Sequence, residues 1–172
     1  MEERVTTGQI GLRYGLIYAL VSTVINLIPI LTETSVSTGF IMILVNIVVA
    51  FVIFIMAGRE FKKQNGGMIS FGEGFRINMT AAAITALVRS GVVYIYVKVI
   101  DTGYGERMTR IMEDTWAQQG MNAEQIEQAK RWSGGASNPE WMLIGGFITI
   151  ILGGLIWGAI SSAITKTEEE EF

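Results

Sequence analysis

The sequence predicts an all-α membrane protein: four transmembrane helices, with two short amphipathic helices in the outer-face connection between spans three and four. Half of the 172 residues are hydrophobic, and the mean hydropathy is +0.42. The apolar residues fall in four long blocks, each approaching or exceeding the ~20 residues that a helix needs to cross a hydrocarbon core of ~30 Å. The length suits a single integral membrane domain, residues 1–172.

The first two predicted spans cover residues 11–31 and 39–57. Met1–Arg4 is a poor basic leader, and no small-residue cleavage site follows Leu31. We therefore expect the first block to be retained as a span and not cleaved as a signal peptide.

A basic connection, residues 58–76, leads to the third predicted span, residues 77–100. Ser70 and Glu73 have the spacing of a capping box, in which both side chains bond unpaired amides at a helix start. The third helix is therefore expected to begin near Phe71, before the span itself.

The connection 101–140 is hydrophilic but patterned, and the fourth predicted span, 141–164, follows it. Tyr104, Met108 and Met112 recur at helical spacing, and Asn122 with Gln125 can cap a second short helix ending near Trp132. Such helices could dock a partner or lie on the membrane surface, and Trp116, Trp132 and Trp141 suit the headgroup level.

Lysine and arginine residues favour a cytoplasmic location for both termini, because basic residues collect on the cytoplasmic side. With both termini inside, seven basic residues lie on the inner side and four on the outer side, and Lys98 marks the outer headgroup level. The inner set is Arg4, Arg13, Arg59, Lys62, Lys63, Arg76 and Lys166, and the outer set is Arg107, Arg110, Lys130 and Arg131. The terminal run Glu168–Glu171 is expected to be a solvated tail.

The composition argues against most catalytic chemistry. Cysteine and histidine are absent, which removes thiol nucleophiles and the usual ligands of zinc, copper and haem. Ser161 and Ser162 lack a histidine partner, so we expect no catalytic residue, cofactor or metal site. A net charge of −3 gives no reason to expect nucleic acid as a partner.

Arg89 is the most informative single residue, because it lies about midway along the third span. An arginine at that depth costs at least ~2.5 kcal/mol and usually faces other helices or water. A candidate intramembrane polar network would serve an anion or lipid headgroup, or simply fix the bundle. Its members are Arg89, Asn26, Asn46, Asn78 and Thr85.

Two stripes of small residues are candidate helix-packing seams, because small side chains let helix backbones approach closely in lipid. They could mediate oligomers or partner binding, or pack the first and fourth spans against each other. The stripes are Gly11, Gly15 and Ala19 in the first span and Gly154, Gly158 and Ser162 in the fourth.

Three segments resemble a group of bacterial membrane proteins of this length that is defined only as a domain of unknown function. They are Ile69–Phe75, Asp101–Tyr104 with the Glu/Met-rich helix after it, and Gly158–Lys166. The resemblance implies a helical protein of the bacterial inner membrane and carries no active-site residues.

The leading expectation is a non-enzymatic accessory or scaffold subunit, in contact with lipids and with other membrane subunits or copies of itself. The alternative is a small oligomeric transporter or channel with a polar site around Arg89. A lipid-modifying enzyme is a third, weaker hypothesis.

Overall fold

The computed structural model describes residues 5–32, 36–133 and 138–167, and these form helices and short connections with no strand. Six α-helices follow one another, and a five-residue π-helical segment, Tyr96–Ile100, extends the third. Their bounds are α1 Thr7–Thr32, α2 Val36–Gln64, α3 Phe71–Ile95, α4 Tyr104–Gln118, α5 Ala123–Ser133 and α6 Pro139–Thr165.

Four of these helices are long and apolar enough to cross a membrane, namely α1, α2, α6 and α3 with its π-helical end. Their outward faces carry large apolar side chains, including Leu20, Val48 and Leu87, each more than 60% exposed. In water such surfaces would be unfavourable, whereas lipid tails solvate them. The predicted all-α membrane fold is confirmed.

Helix boundaries reach beyond the predicted spans where the chain remains helical in polar surroundings. α2 continues past Ala57 to Gln64 and so includes more than a third of the predicted basic connection, with Lys62 and Lys63 in its last turn. Basic side chains are favourable there because the helix dipole places negative charge at that end. The hydropathy pattern predicts a span, which is shorter than the helix containing it.

The predicted capping signals lie where the helices begin. Ser70 Oγ accepts from the Glu73 amide at 3.2 Å, and the Glu73 carboxylate accepts from the Ser70 amide at 2.8 Å, so α3 begins at Phe71. Asn122 and Gln125 bond each other's backbone amides in the same way, at 2.9 Å each, immediately before α5.

Helix α3 is the centre of the bundle and packs along its length against α1 and α6. α2 contacts α1 and α6 less extensively and α3 least among the spanning helices. The helices therefore follow the order α1, α3, α6, α2 around the bundle, with α2 and α3 diagonally opposite. Across the bundle α2 and α3 still contact each other, whereas α1 and α6 barely touch.

Two apolar clusters close the bundle at opposite ends. One cluster joins Tyr18, Phe54 and Ile77 with their neighbours on α1, α2 and α3. At the other end Tyr104 of α4 packs against Ile30 and Val97, so α4 is docked onto the bundle.

Several predicted features fall outside the described residues: Arg4, the Glu168–Glu171 tail, residues 33–35 between the first two predicted spans and residues 134–137 before α6.

Candidate functional site

Arg89 lies between the two apolar clusters, on the part of α3 that faces the interior of the bundle. Its side chain is half-buried and lines two neighbouring cavities. The position follows from the helical period, since Ala82, Thr85 and Ala86 of the preceding turns are fully buried.

The larger cavity has a volume of about 530 Å³ and reaches from Arg89 to α4. All four spanning helices and α4 contribute to its wall, and most of the lining side chains are apolar. Methionines are prominent among them: Met42, Met108, Met112 and Met142. This volume is within the ~300–1,000 Å³ that is typical of small-molecule sites.

The smaller cavity, about 180 Å³, lies on the other side of Arg89 and shares Asn26, Ile43 and Arg89 with the larger one. Tyr18 and Phe54 line it and meet edge to face, with ring centroids 5.8 Å apart. These two rings also belong to the apolar cluster that fills the bundle beyond this point. The two cavities together reach from α4 past Arg89 and end at this aromatic pair.

No described acidic residue approaches Arg89. The ion pairs found in the described ranges involve other cations, such as Lys98 with Glu140, and neither cavity has a carboxylate in its wall. Arg89 also makes no hydrogen bond to another described side chain or backbone group. An arginine within a membrane bundle normally pairs with an acid or with backbone carbonyls. Arg89 has neither partner among the described residues, so its donors remain available to a ligand or to water.

Two buried polar atoms beside Arg89 also lack a described partner. Ser90 is 4% exposed and lines the larger cavity, and its Oγ has no hydrogen-bond partner. Asn46 is 8% exposed and lines the smaller cavity, and its Oδ1 has none. Because buried polar atoms are almost always hydrogen-bonded, both atoms have unused hydrogen-bonding capacity at the cavity walls.

Of the predicted polar network, Arg89, Asn26 and Asn46 come together around the cavities. The two asparagines do not bond the guanidinium, however. Asn26 Nδ2 donates to the Ser22 carbonyl at 2.8 Å and Asn46 Nδ2 to the Met42 carbonyl at 3.0 Å, each within its own helix. They contribute polarity to the cavity wall without neutralising or fixing Arg89.

Asn78 and Thr85 lie apart from this group, because they face the neighbouring helices. Asn78 Nδ2 donates to Ser161 Oγ at 2.8 Å and to Ser162 Oγ at 3.1 Å, which joins α3 to α6. The Thr85 hydroxyl shares its single hydrogen between the Gly15 carbonyl at 3.0 Å, which joins α3 to α1, and the Ala81 carbonyl of its own helix at 2.8 Å. Both residues hold helices together and neither lines a cavity.

The small-residue seams of α1 and α6 both pack against α3, whereas the sequence led us to expect oligomer contacts or packing between α1 and α6. A Cβ added to Gly15 would lie 2.9 Å from Ala81 Cα, and one added to Gly158 would lie 3.2 Å from Asn78 Cβ. Ala19 and Ser162 are fully buried. The seams are therefore occupied within one chain.

No sequence pattern indicated that α4 forms part of the site. Tyr104, Met108 and Met112 recur at helical spacing, which indicated a helix but not the surface that it covers. Burial raises the pKa of Tyr104, the nearby Asp101 raises it further, and Arg107 opposes both effects. Its hydroxyl therefore stays neutral at physiological pH, which suits its position against the apolar end of the bundle.

The model of a protein family described as "Protein of unknown function (DUF4199)" matches residues 11–167, which is nearly the whole chain. Neither the curated proteins nor the solved structures contain a match to this chain.

Proposed function

The chain belongs to the family described as "Protein of unknown function (DUF4199)", and from the geometry of the bundle we propose that it is a small non-enzymatic transporter that binds an anion at Arg89 within the membrane. The single observation that carries this proposal is the cavity of about 530 Å³ that reaches a guanidinium without an acidic partner among the described residues.

Charge complementarity determines the sign of the ligand. Arg89 supplies only donors and a positive charge, and the Ser90 hydroxyl in the wall of the larger cavity is a further donor. Carboxylates and phosphates accept several such bonds at once, and arginine matches their geometry in two parallel hydrogen bonds. A low-dielectric surrounding strengthens each of these interactions.

The arrangement of the cavities supports movement as well as binding. Cavity space continues from α4 past Arg89 to the Tyr18–Phe54 pair, which lines the far end of the smaller cavity. Transporters expose a site near the middle of the membrane to one side at a time. A shift of the aromatic pair would open the opposite side.

An accessory or scaffold subunit is the second candidate. It is supported by α5, which has no buried residue and carries Trp132 with 87% exposure. An exposed tryptophan of this kind suits a partner or a membrane surface. The occupied seams of α1 and α6 lend this role no support, because α3 covers them.

Anion binding at Arg89 can be tested on the full chain, labelled with ¹⁵N-arginine in phosphatidylcholine nanodiscs. We expect saturable shifts of the Arg89 Nε resonance on addition of inorganic phosphate, acetate or dodecyl phosphate. In proteoliposomes, uptake of the bound anion should fall about tenfold or more in R89Q and recover in part in R89K. The matched control is R76Q, which removes an exposed arginine from the same helix.

The proposal is wrong if none of the three anions moves the Arg89 resonance, or if R89Q and the wild type take up the bound anion equally. Binding without uptake would support the anion site at Arg89 but contradict the proposed transport.

We also propose a bacterial inner-membrane location with both termini cytoplasmic. The chain has no cysteine, so a single introduced cysteine can be labelled without background from other thiols of the protein. In intact cells a membrane-impermeant maleimide should label Q128C in α5 and leave K63C at the end of α2 unlabelled. Labelling of K63C but not of Q128C would show that the proposed orientation is wrong.

A further inference from the structure

We infer that the ligand of the Arg89 cavity is an amphiphile with one anionic headgroup and a hydrocarbon chain, and that it enters from the lipid bilayer alongside α2. This inference rests on the proposed anion site and specifies the class of molecule that the site takes. Phosphate and carboxylate headgroups share the required chemistry.

The apolar wall of the larger cavity indicates that the ligand has a hydrocarbon chain. Beyond Arg89 and Ser90 its side chains are mostly apolar, and Met42, Met108, Met112 and Met142 line it from three helices. A small hydrophilic anion would leave this surface in contact with water, which is unfavourable. Methionine side chains are flexible and fill irregular space, so they can accommodate a chain of variable shape.

Arg89 is the charged side chain in the described wall of the larger cavity. Arg89 and Ser90 are consecutive on α3, and Ser90 Oγ is buried without a described partner. An anionic headgroup at Arg89 can accept hydrogen bonds from its guanidinium, and Ser90 adds a polar group to the same cavity wall. The headgroup would then lie at Arg89 and the chain would extend toward α4.

The outward opening of the cavity indicates the route of entry. Phe40 and Ile43 line the cavity and are also 63% and 56% exposed, so their side of α2 faces the lipid. Gly39 lies in the same wall, and a Cβ added to it would meet no atom within 4 Å. The wall along α2 is therefore both apolar and loosely packed. A molecule already dissolved in the bilayer can enter there without crossing water.

The test compares ligands that differ in one property, using native mass spectrometry of the full chain released from phosphatidylcholine nanodiscs. Dodecyl phosphate and dodecanoate carry both a head charge and a chain, dodecanol lacks the charge, and inorganic phosphate lacks the chain. We expect one of the two charged amphiphiles to bind at one per chain. At equal mole fraction in the bilayer its occupancy should exceed that of dodecanol about tenfold, and its apparent affinity should exceed that of inorganic phosphate.

A variant of the wall tests the site without removing the charge. G39L places a side chain into the open wall beside Phe40 and should lower occupancy by the charged amphiphile at least fivefold. Leucine is a better helix former than glycine, so the helix itself is not weakened. The matched control is G145L on α6, where an added Cβ also meets no atom within 4 Å but the residue lines neither cavity.

The outcomes separate this inference from the proposed function. If inorganic phosphate binds as tightly as both charged amphiphiles, or if G39L and G145L behave alike, the amphiphile assignment is wrong and the anion site stands. If dodecanol binds as well as the charged amphiphiles, Arg89 does not recognise charge and both proposals fail.

Discussion

Gly154 on α6 lies so close to Ala82 on α3 that a Cβ atom added to the glycine would stand 2.5 Å from the Cβ of Ala82. Real Cβ atoms do not approach each other so closely, so the two helices can meet here only because residue 154 has no side chain. The same relationship holds on the other side of α3, where Gly11 faces Thr80 and Gly15 faces Ala81. Glycine thus sets the separation of α3 from both of its main neighbours.

The first prediction follows from that contact. G154A should force α3 and α6 apart and destabilise the folded bundle by about 1–3 kcal/mol, the usual cost of overpacking. The matched control is G153A one residue earlier, where the nearest atom to an added Cβ is Trp157 Cδ1 at 4.0 Å. It should be neutral or slightly stabilising. Thermal unfolding in mild detergent, followed by circular dichroism, measures both variants, and equal melting temperatures would contradict the close contact.

A second prediction concerns the hydrogen bond from Thr85 to the Gly15 carbonyl. T85V keeps the shape of the side chain but removes the hydroxyl that joins α3 to α1. Interhelical bonds of this kind in membranes contribute about 0.6 kcal/mol on average and at most about 1.7 kcal/mol, so we expect a loss in that range. In T32V the missing hydroxyl bonds only the Ile28 carbonyl of its own helix. That variant should melt like the wild type.

The third prediction separates packing from binding within the set of polar residues that the sequence singled out. N78L removes the bonds to Ser161 and Ser162 and should lower the melting temperature while the surviving folded protein binds anions normally. R89Q should behave in the opposite way: it should lose anion binding at least tenfold with little loss of stability, because Arg89 has no described hydrogen-bond partner to lose. A binding defect in folded N78L would show that the two sites are coupled.

A fourth prediction concerns the ion pair between Lys130 on α5 and Glu113 on α4, whose charged atoms are 2.8 Å apart. The hydrogen bond to Glu113 raises the pKa of Lys130. A pKa raised in the folded state means that the pair stabilises the α4–α5 contact below the ordinary lysine pKa. The contribution is lost as pH rises through the raised value.

The titration of Lys130 can be followed through its ¹³Cε chemical shift. In E113Q the midpoint should move to lower pH, toward the ordinary lysine value. In the control E124Q, which removes an exposed carboxylate at the start of α5, the midpoint should stay in place. An unchanged midpoint in E113Q would mean that the two helices are not joined by this pair.

The capping signals show why parts of the fold were predictable. Ser70 with Glu73 and Asn122 with Gln125 begin helices because each side chain bonds an amide three residues away, and local sequence contains all the atoms involved. The position of Arg89 along its helix was predictable for a similar reason, since a helix converts residue number into distance along its axis.

The division of the polar residues was not predictable in the same way. Asn78, Thr85 and Arg89 share one stripe of α3, yet the first bonds α6, the second bonds α1 and the third lines the cavities. Which neighbour each side chain meets depends on the order of the helices around the bundle, and no local pattern encodes that order.

Hydropathy, helix period and capping chemistry alone determined that this chain forms four spanning helices with an arginine midway along the third, because these properties depend on residues within one helix and on the thickness of the membrane. Only the tertiary structure decided that α3 occupies both glycine seams and that α4 covers a cavity beside Arg89. Those features arise from contacts between residues far apart in the chain, whose energies depend on which helix surfaces meet.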